Sequence, residues 1–200
     1  RKKMLEKLNI EEIKPSSRKY PHIVFNTEKE AGKDILTVEN LTYSENGEVL
    51  FKDLTFSVNK GDKVSFVSKS KHAITRLLQI LDGEIAPDSG EYRWGITTTP
   101  ILFPHDNTKY FQSDLNLADW LRQYSSDDDE SFVRGFLGQM LFSGHESQKV
   151  CSVLSGGEKV RCMLSRMMIQ QGNVLLFDEP TDHLDLESIT ALNNSLINYQ

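Results

Sequence analysis

Cysteine is nearly missing from this chain. Only Cys151 and Cys162 occur in 200 residues, with no C-x-x-C pair, which argues against a disulfide framework and a zinc site and implies free thiols in a reducing compartment. Long hydrophobic runs are missing as well. No stretch approaches the roughly 20 apolar residues that cross a bilayer, and no charged-then-apolar leader opens the chain. The reading is of a cytoplasmic protein with no membrane segment. Its first residue is Arg1 rather than Met, which points to a piece of a longer polypeptide. Hydrophobic residues make up 38% of the chain, enough for one substantial core.

The net charge of −6 conceals a division. Residues 1–22 carry seven basic side chains (Arg1, Lys2, Lys3, Lys7, Lys14, Arg18, Lys19) against three acids (Glu6, Glu11, Glu12), a local charge of +4 that leaves −10 on the rest. A basic arm on an acidic body suits a nucleic acid or an acidic partner, and equally a solvated helix end. Pro15 and Pro21 interrupt any helix begun at Lys3.

Two stretches carry the chemistry. Leu154-Ser155-Gly156-Gly157-Glu158 reads as a turn opening a helix, whose first N–H groups lack intrahelical partners and lie at the positive end of the helix dipole, a ready anion site. Twenty residues on, the apolar run Val174-Leu175-Leu176-Phe177 has buried-strand composition and delivers Asp178 and Glu179 at its carboxyl end, where open parallel sheets bind ligands.

In this order and spacing the two stretches resemble the signature loop and Walker B strand of ATP-binding cassette (ABC) proteins. The resemblance continues through Glu179-Pro180-Thr181-Asp182-His183-Leu184-Asp185, similar to the D-loop, and LSGGEKVR with HLD is similar to the soluble ABC-F branch, tandem-cassette proteins that act on ribosomes. It implies an α/β ABC ATPase cassette with an antiparallel β subdomain and an α-helical arm. Residues 1–34 would end an inter-cassette linker, and 35–200 would form a truncated nucleotide-binding domain with its arm at about 113–152. The cofactors it implies are ATP and Mg2+, with Asp178 holding the metal and Glu179 orienting or deprotonating water. Ser155 and Gly156 would face ATP held by a partner cassette, with Leu154, Gly157, Glu158 and Asp185 in the same nucleotide-facing set. The implied partners are the first cassette of the full-length chain and the ribosome, through ribosomal and transfer RNA.

Glycine is scarce where such a site needs it. The phosphate loop G-x-x-x-x-G-K-[ST] wraps phosphate in backbone amides and supplies a lysine. Here the corresponding residues are Ser68, Lys69, Ser70, Lys71, His72, Ala73, Ile74 and Thr75. Ser68 and Ala73 replace both glycines, Ile74 replaces the lysine and has nothing to donate, and Thr75 alone keeps its type as a metal-binding hydroxyl. Lys69 or Lys71 either substitutes as a point charge or is a solvated loop residue. His105 stands where the resemblance places the Q-loop glutamine, as a metal ligand or a plain surface histidine. Tyr43 lies two positions from the place of an adenine-stacking aromatic and otherwise reads as a half-buried strand residue.

Periodicity predicts strands at 35–41 and 49–58 around an Asn46-Gly47 turn, a strand at 63–67 feeding the loop, and a helix at 74–82. A turn at 87–90 precedes a strand at 91–94. Helices are predicted from Leu115, from the acidic 126–130 run into 132–142 with Phe132 and Phe136 in the core, over 157–171 ending at Gly172, and over 187–198. Three functions stay open: an ABC-F ATPase half, a degenerate regulatory cassette, or the ATPase subunit of a transporter.

Overall fold

The computed structural model describes residues 19–199; most of the basic arm and the proline break at Pro15 lie outside them. The chain forms β1 (Asp34–Glu45), β2 (Glu48–Asn59), α1 (Lys71–Leu81), β3 (Ser89–Trp94), β4 (Pro100–Phe103), α2 (Leu117–Arg122), α3 (Glu130–Gln139), α4 (Gly156–Gln170), β5 (Val174–Phe177) and α5 (Leu186–Asn198). Asn46 and Gly47, with φ of 52° and 83°, make the hairpin turn that joins β1 to β2, a turn that demands left-handed backbone at both central residues.

Two sheets result. One is antiparallel in the order β2-β1-β3, and the other pairs β4 with β5 in parallel. Val38 and Leu41 of β1 are fully buried and pack with Leu77, Ile80 and Leu81 of α1 in one core. The second core gathers the helices against β4 and β5: Trp120, Leu137, Met140, Met163 and Leu164 are all at most 1% exposed. Trp120 stacks on Phe111 with centroids 4.8 Å apart and donates Nε1–H to the Tyr110 carbonyl at 2.7 Å, so its polar edge is satisfied where its ring is dry. Both cysteines are free and buried.

Several expectations shift. Residues 63–67 form no ladder among the described residues, and Val67 is 94% exposed. Between this segment and β5 lies a cavity of about 610 Å³, lined by Val64, Phe66, Val174 and Leu176 among others. A strand needs a neighbour to satisfy its amides, and here the flanking place is open. Helix α1 starts at Lys71, three residues early, so Lys71, His72 and Ala73 are helical rather than loop, with Ala73 buried. The α3 helix ends at Gln139, and Phe132 is 37% exposed, stacking edge-on with half-buried Phe136 instead of entering the core. Asp129 caps α3 by accepting from the Ser131 N–H, the role foreseen for the acidic run.

Residues before β1 are tied to the body. Ile23 and Phe25 are buried, the His22 N–H donates to the Gln139 carbonyl at 2.8 Å, and the Phe25 ring lies 5.9 Å from that of Phe177. No helix among the described residues is long and apolar enough to cross a membrane.

Candidate functional site

Parallel pairing sets the site. Phe103 of β4 and Phe177 of β5 are register partners, so the chains leaving both strands emerge side by side. The Asp178 N–H prolongs the ladder to the Phe103 carbonyl at 3.0 Å. Asp178 is buried, and its Oδ2 accepts from the Thr75 hydroxyl at 2.7 Å, joining β5 to α1. This hydroxyl and carboxylate form an all-oxygen donor set of the kind a hard, hydrated Mg2+ prefers.

Glu179 follows with φ of 49°, a left-handed conformation uncommon outside glycine. Its carboxylate is gripped by Lys71 Nζ at 2.8 Å and lies 3.9 Å from His105 Nδ1. The direct hydrogen bond from Glu179 raises the Lys71 pKa above its ordinary value, with the charge of the same carboxylate adding to it. Lys71 therefore reaches the acidic mouth from the first turn of α1 while most of its side chain stays in solvent. His105 stands with Glu179 and Asp182, all three ligand atoms within 4.8 Å of one another.

The eroded loop offers less. The Ser70 N–H turns back to Ser68 Oγ at 3.1 Å, and the Ala73 N–H donates to the Ser70 carbonyl at 3.2 Å. His72 is drawn away to Glu45, which also accepts from Arg76 Nη2 at 2.6 Å. Those two contacts, the His72 bond foremost, lower the Glu45 pKa. Ser70 caps α1 without a side-chain hydrogen bond, and no acid sits in the first turn. Ile74 points no donor toward the mouth. Lys69 is exposed. A phosphate placed here meets an uncapped helix end and the exposed ammonium of Lys69, a partial fit.

The signature turn is built differently. Ser155 caps α4, and a reciprocal box with Glu158 closes it: Glu158 Oε2 accepts from the Ser155 N–H at 2.9 Å, and Ser155 Oγ accepts from the Glu158 N–H. Lys149 pairs with Glu158 at 2.6 Å; this bond, with the Ser155 contacts, holds the Glu158 pKa down at about 2. The turn keeps fewer free amides than its sequence implied, because the box consumes those of Ser155 and Glu158 and leaves those of Gly156 and Gly157. A Cβ at Gly157 would lie 2.9 Å from the His183 carbonyl oxygen, so the close approach of the D-loop-like segment requires glycine there. Leu154 is buried beneath the turn. Asp185 caps α5, accepting from the Ser188 N–H at 2.8 Å, a structural task the sequence reading did not assign.

Sequence reasoning missed Asp182 as a neighbour of His105, His183 as the residue over the glycines, and the packing of 23–25, whose alternation in Ile23-Val24-Phe25 was the available signal. It read Tyr43 as a half-buried strand residue, and the ring does stack on Phe51 at 6.1 Å.

Residues 51–182 match the protein family described as ABC transporter. The chain is 55% identical over its whole length to the "Uncharacterized ABC transporter ATP-binding protein YkpA" of Bacillus subtilis, covering 37% of that protein. It is 33% identical over 175 residues to the "Energy-dependent translational throttle protein EttA" of Haemophilus influenzae, 84% of this chain and 31% of the relative. The chain thus spans about a third of the curated relatives it matches. A bacterial Atm1-family ABC exporter with ATP bound superposes with a TM-score of 0.69 at 14% identity, over 91% of this chain and 35% of that one, which supports the fold. With the family match running from β2 through the acidic strand end to Asp182, the chain belongs to the ABC transporter family as an ATP-binding cassette.

Proposed function

We propose that this cassette is one half of a soluble ABC-F type ATPase, in which ATP binding closes two cassettes and hydrolysis reopens them to act on the ribosome. The observation that carries the reading is the inequality of its two half-sites: a closed, intact signature turn at Ser155 and Gly156, and a phosphate loop whose lysine position is Ile74. ABC cassettes work in pairs, each site drawing its phosphate loop and acidic strand from one cassette and its signature from the other. In this reading the signature completes the site of the first cassette, while the chain's own site is weak.

ATP and Mg2+, when bound, supply the phosphoryl group and the charge that neutralises it. Thr75 and Asp178 would hold the metal through oxygen, and Glu179 would orient water once Lys71 releases it. The Gly156 and Gly157 amides and the Ser155 hydroxyl would meet phosphate oxygens on the partner's nucleotide. The basic residues 1–22 would end the linker that touches ribosomal and transfer RNA, in a cytoplasmic protein. The EttA relative, named for translation, supports this reading over a transporter subunit. Nucleotide titration and phosphate release by the intact protein, with and without ribosomes, test it. Ribosome-independent turnover with ATP held tightly at this chain's own loop would overturn it.

A further inference from the structure

We propose that Lys149 is a positioning residue for ATP turnover at the partner cassette's site, a role that rests on the signature turn completing that site. By balancing the Glu158 carboxylate, it frees the Ser155 hydroxyl to donate to phosphate. Glu158 divides its two oxygens. Its Oε2 accepts from the Ser155 N–H and from the Ser155 hydroxyl, both at 2.9 Å, while its Oε1 accepts from Lys149 Nζ at 2.6 Å. The Ser155 hydroxyl has one proton to give, and Glu158 holds it in this arrangement. A phosphate arriving at the turn competes for that proton. The ammonium on the far oxygen draws charge away from Oε2 and weakens the carboxylate as a competitor. The same bond raises the Lys149 pKa and holds that of Glu158 down at about 2, so both groups are charged at neutral pH. Without Lys149, a full negative charge would stand one hydrogen bond behind the turn that meets the partner's phosphate, where like charges repel. The Glu158 side chain is only 15% exposed, so water would screen that charge poorly.

The arm aims the lysine. Its carbonyl accepts from the N–H of Leu117, the first residue of α2, at 3.0 Å, and its own N–H donates to the Glu146 carbonyl at 3.1 Å. Asn116 and Val150 pair as an antiparallel bridge, and the Cys151 N–H donates to the Leu115 carbonyl at 2.9 Å. A lysine stem is flexible by nature, and here the backbone on both sides of it is fixed. Its other carboxylate neighbour, Glu146, stands farther off at 3.7 Å. The reciprocal Ser155–Glu158 box already caps α4 without help. Lys149 adds no hydrogen bond to the helix end, so its effect falls on the charge beside the turn.

The test is steady-state phosphate release by the intact protein as a function of ATP concentration. It compares Lys149→Met, Lys149→Arg, the double variant Lys149→Met with Glu158→Gln, and Gly156→Asp. The Lys149 side chain is 40% exposed, so these changes are mild for folding. Lys149→Met should lower kcat/KM about tenfold, short of the hundredfold or so of losing a donor outright, and mainly through KM because the repulsion acts on bound phosphate throughout. Lys149→Arg should keep most of the activity. The double variant should recover to within about threefold of wild type, since Gln still offers an oxygen to the Ser155 N–H but carries no charge. A lysine that served folding alone would not be replaced by neutralising its partner. Unchanged turnover in Lys149→Met beside a loss in Gly156→Asp would overturn the role of Lys149 and leave the paired-cassette reading standing. A double variant no better than Lys149→Met would overturn it too. If Gly156→Asp itself changed nothing, the paired reading would fall and the role of Lys149 with it.

Discussion

Helix α1 opens beside the acidic strand end and α4 opens beside His183 farther along the same segment, and their N-termini are finished in opposite ways. At α4, Ser155 and Glu158 satisfy each other's amides and Lys149 neutralises the carboxylate. At α1, Ser70 makes no side-chain cap, and the loose charge of Lys71 reaches across to Glu179 instead. The difference teaches that a preserved motif and a free donor are separate things. The intact signature spends part of its hydrogen-bonding capacity on its own rigidity, which fixes its glycine amides in place. The eroded loop keeps open donors but has neither the glycines to wrap them nor a lysine to anchor what they hold.

The sharpest way to break this comparison is to damage each end in turn. In the intact protein, Gly156→Asp places a carboxylate at the turn, where its Cβ already meets His183 Cγ at 3.3 Å. It also opposes phosphate by like charge. Steady-state phosphate release should fall on the order of a hundredfold, the scale of losing a preorganised donor. Ser68→Ala should change it little. Equal losses would make the damaged loop a working site and end the asymmetric reading.

Repair is the next largest effect. Ile74→Lys, on a helix whose neighbour Thr75 already reaches Asp178 at 2.7 Å, restores a charged donor worth about 1.5–3 kcal/mol. Nucleotide affinity measured by calorimetry should rise about tenfold or more. No gain would mean that the early start of α1 at Lys71 has moved the loop backbone out of reach.

Much of this contrast was legible in the residues. Asn46-Gly47 announced the hairpin, which depends on contacts within a few residues, and 174–177 the strand, although its four residues are half-buried rather than buried; the Ser155-x-x-Glu158 box is equally local, yet from sequence the turn reads as one with open amides. What was not legible depends on neighbours distant in sequence. The 63–67 segment has strand composition but pairs with no strand among the described residues, so composition alone gave the wrong element. Lys71 read either as a substitute phosphate-binding charge or as a solvated loop residue, because nothing local reveals that Glu179, 108 positions away, lies 2.8 Å off. Asp182 joined His105 only through the register of two parallel strands.

Acid sharpens the comparison from the signature side. Glu158 has a folded pKa of about 2 against an ordinary 4.5, so it contributes stability above the unfolded value that is lost as pH falls from about 4.5 toward 2. Glu158→Ala should flatten that part of the stability–pH profile and cost about 1 kcal/mol at neutral pH through the lost cap. Urea unfolding across this pH range is the measurement. An unchanged acid limb would show that the box does not hold the turn.

The smallest effect is at the opposite ends of the same helices, where their quality is reversed. Helix α1 closes with Gly83 at φ of 81°, its N–H bonding the Ile80 carbonyl while the Glu84 N–H reaches Gln79, the pairing of a Schellman stop. Helix α4 closes on Gln171 at φ of 51°, and the foreseen Gly172 serves another purpose: a Cβ there would lie 2.7 Å from the Thr99 carbonyl oxygen. Left-handed backbone costs a residue with a Cβ about 1–2 kcal/mol, and glycine returns about 0.5–1 kcal/mol of that as unfolded-chain entropy. Gln171→Gly should therefore stabilise the protein by about 0.5 kcal/mol, keeping the carbonyl that accepts from the Glu28 N–H at 3.1 Å. Gly83→Ala, where the nearest atom to a new Cβ is a comfortable 3.8 Å away, should destabilise it by a similar amount through backbone strain alone. Paired denaturant midpoints decide it: if both substitutions move stability the same way, the two helix ends are not mirror cases, and packing around Gln171 rather than its backbone angle sets the cost.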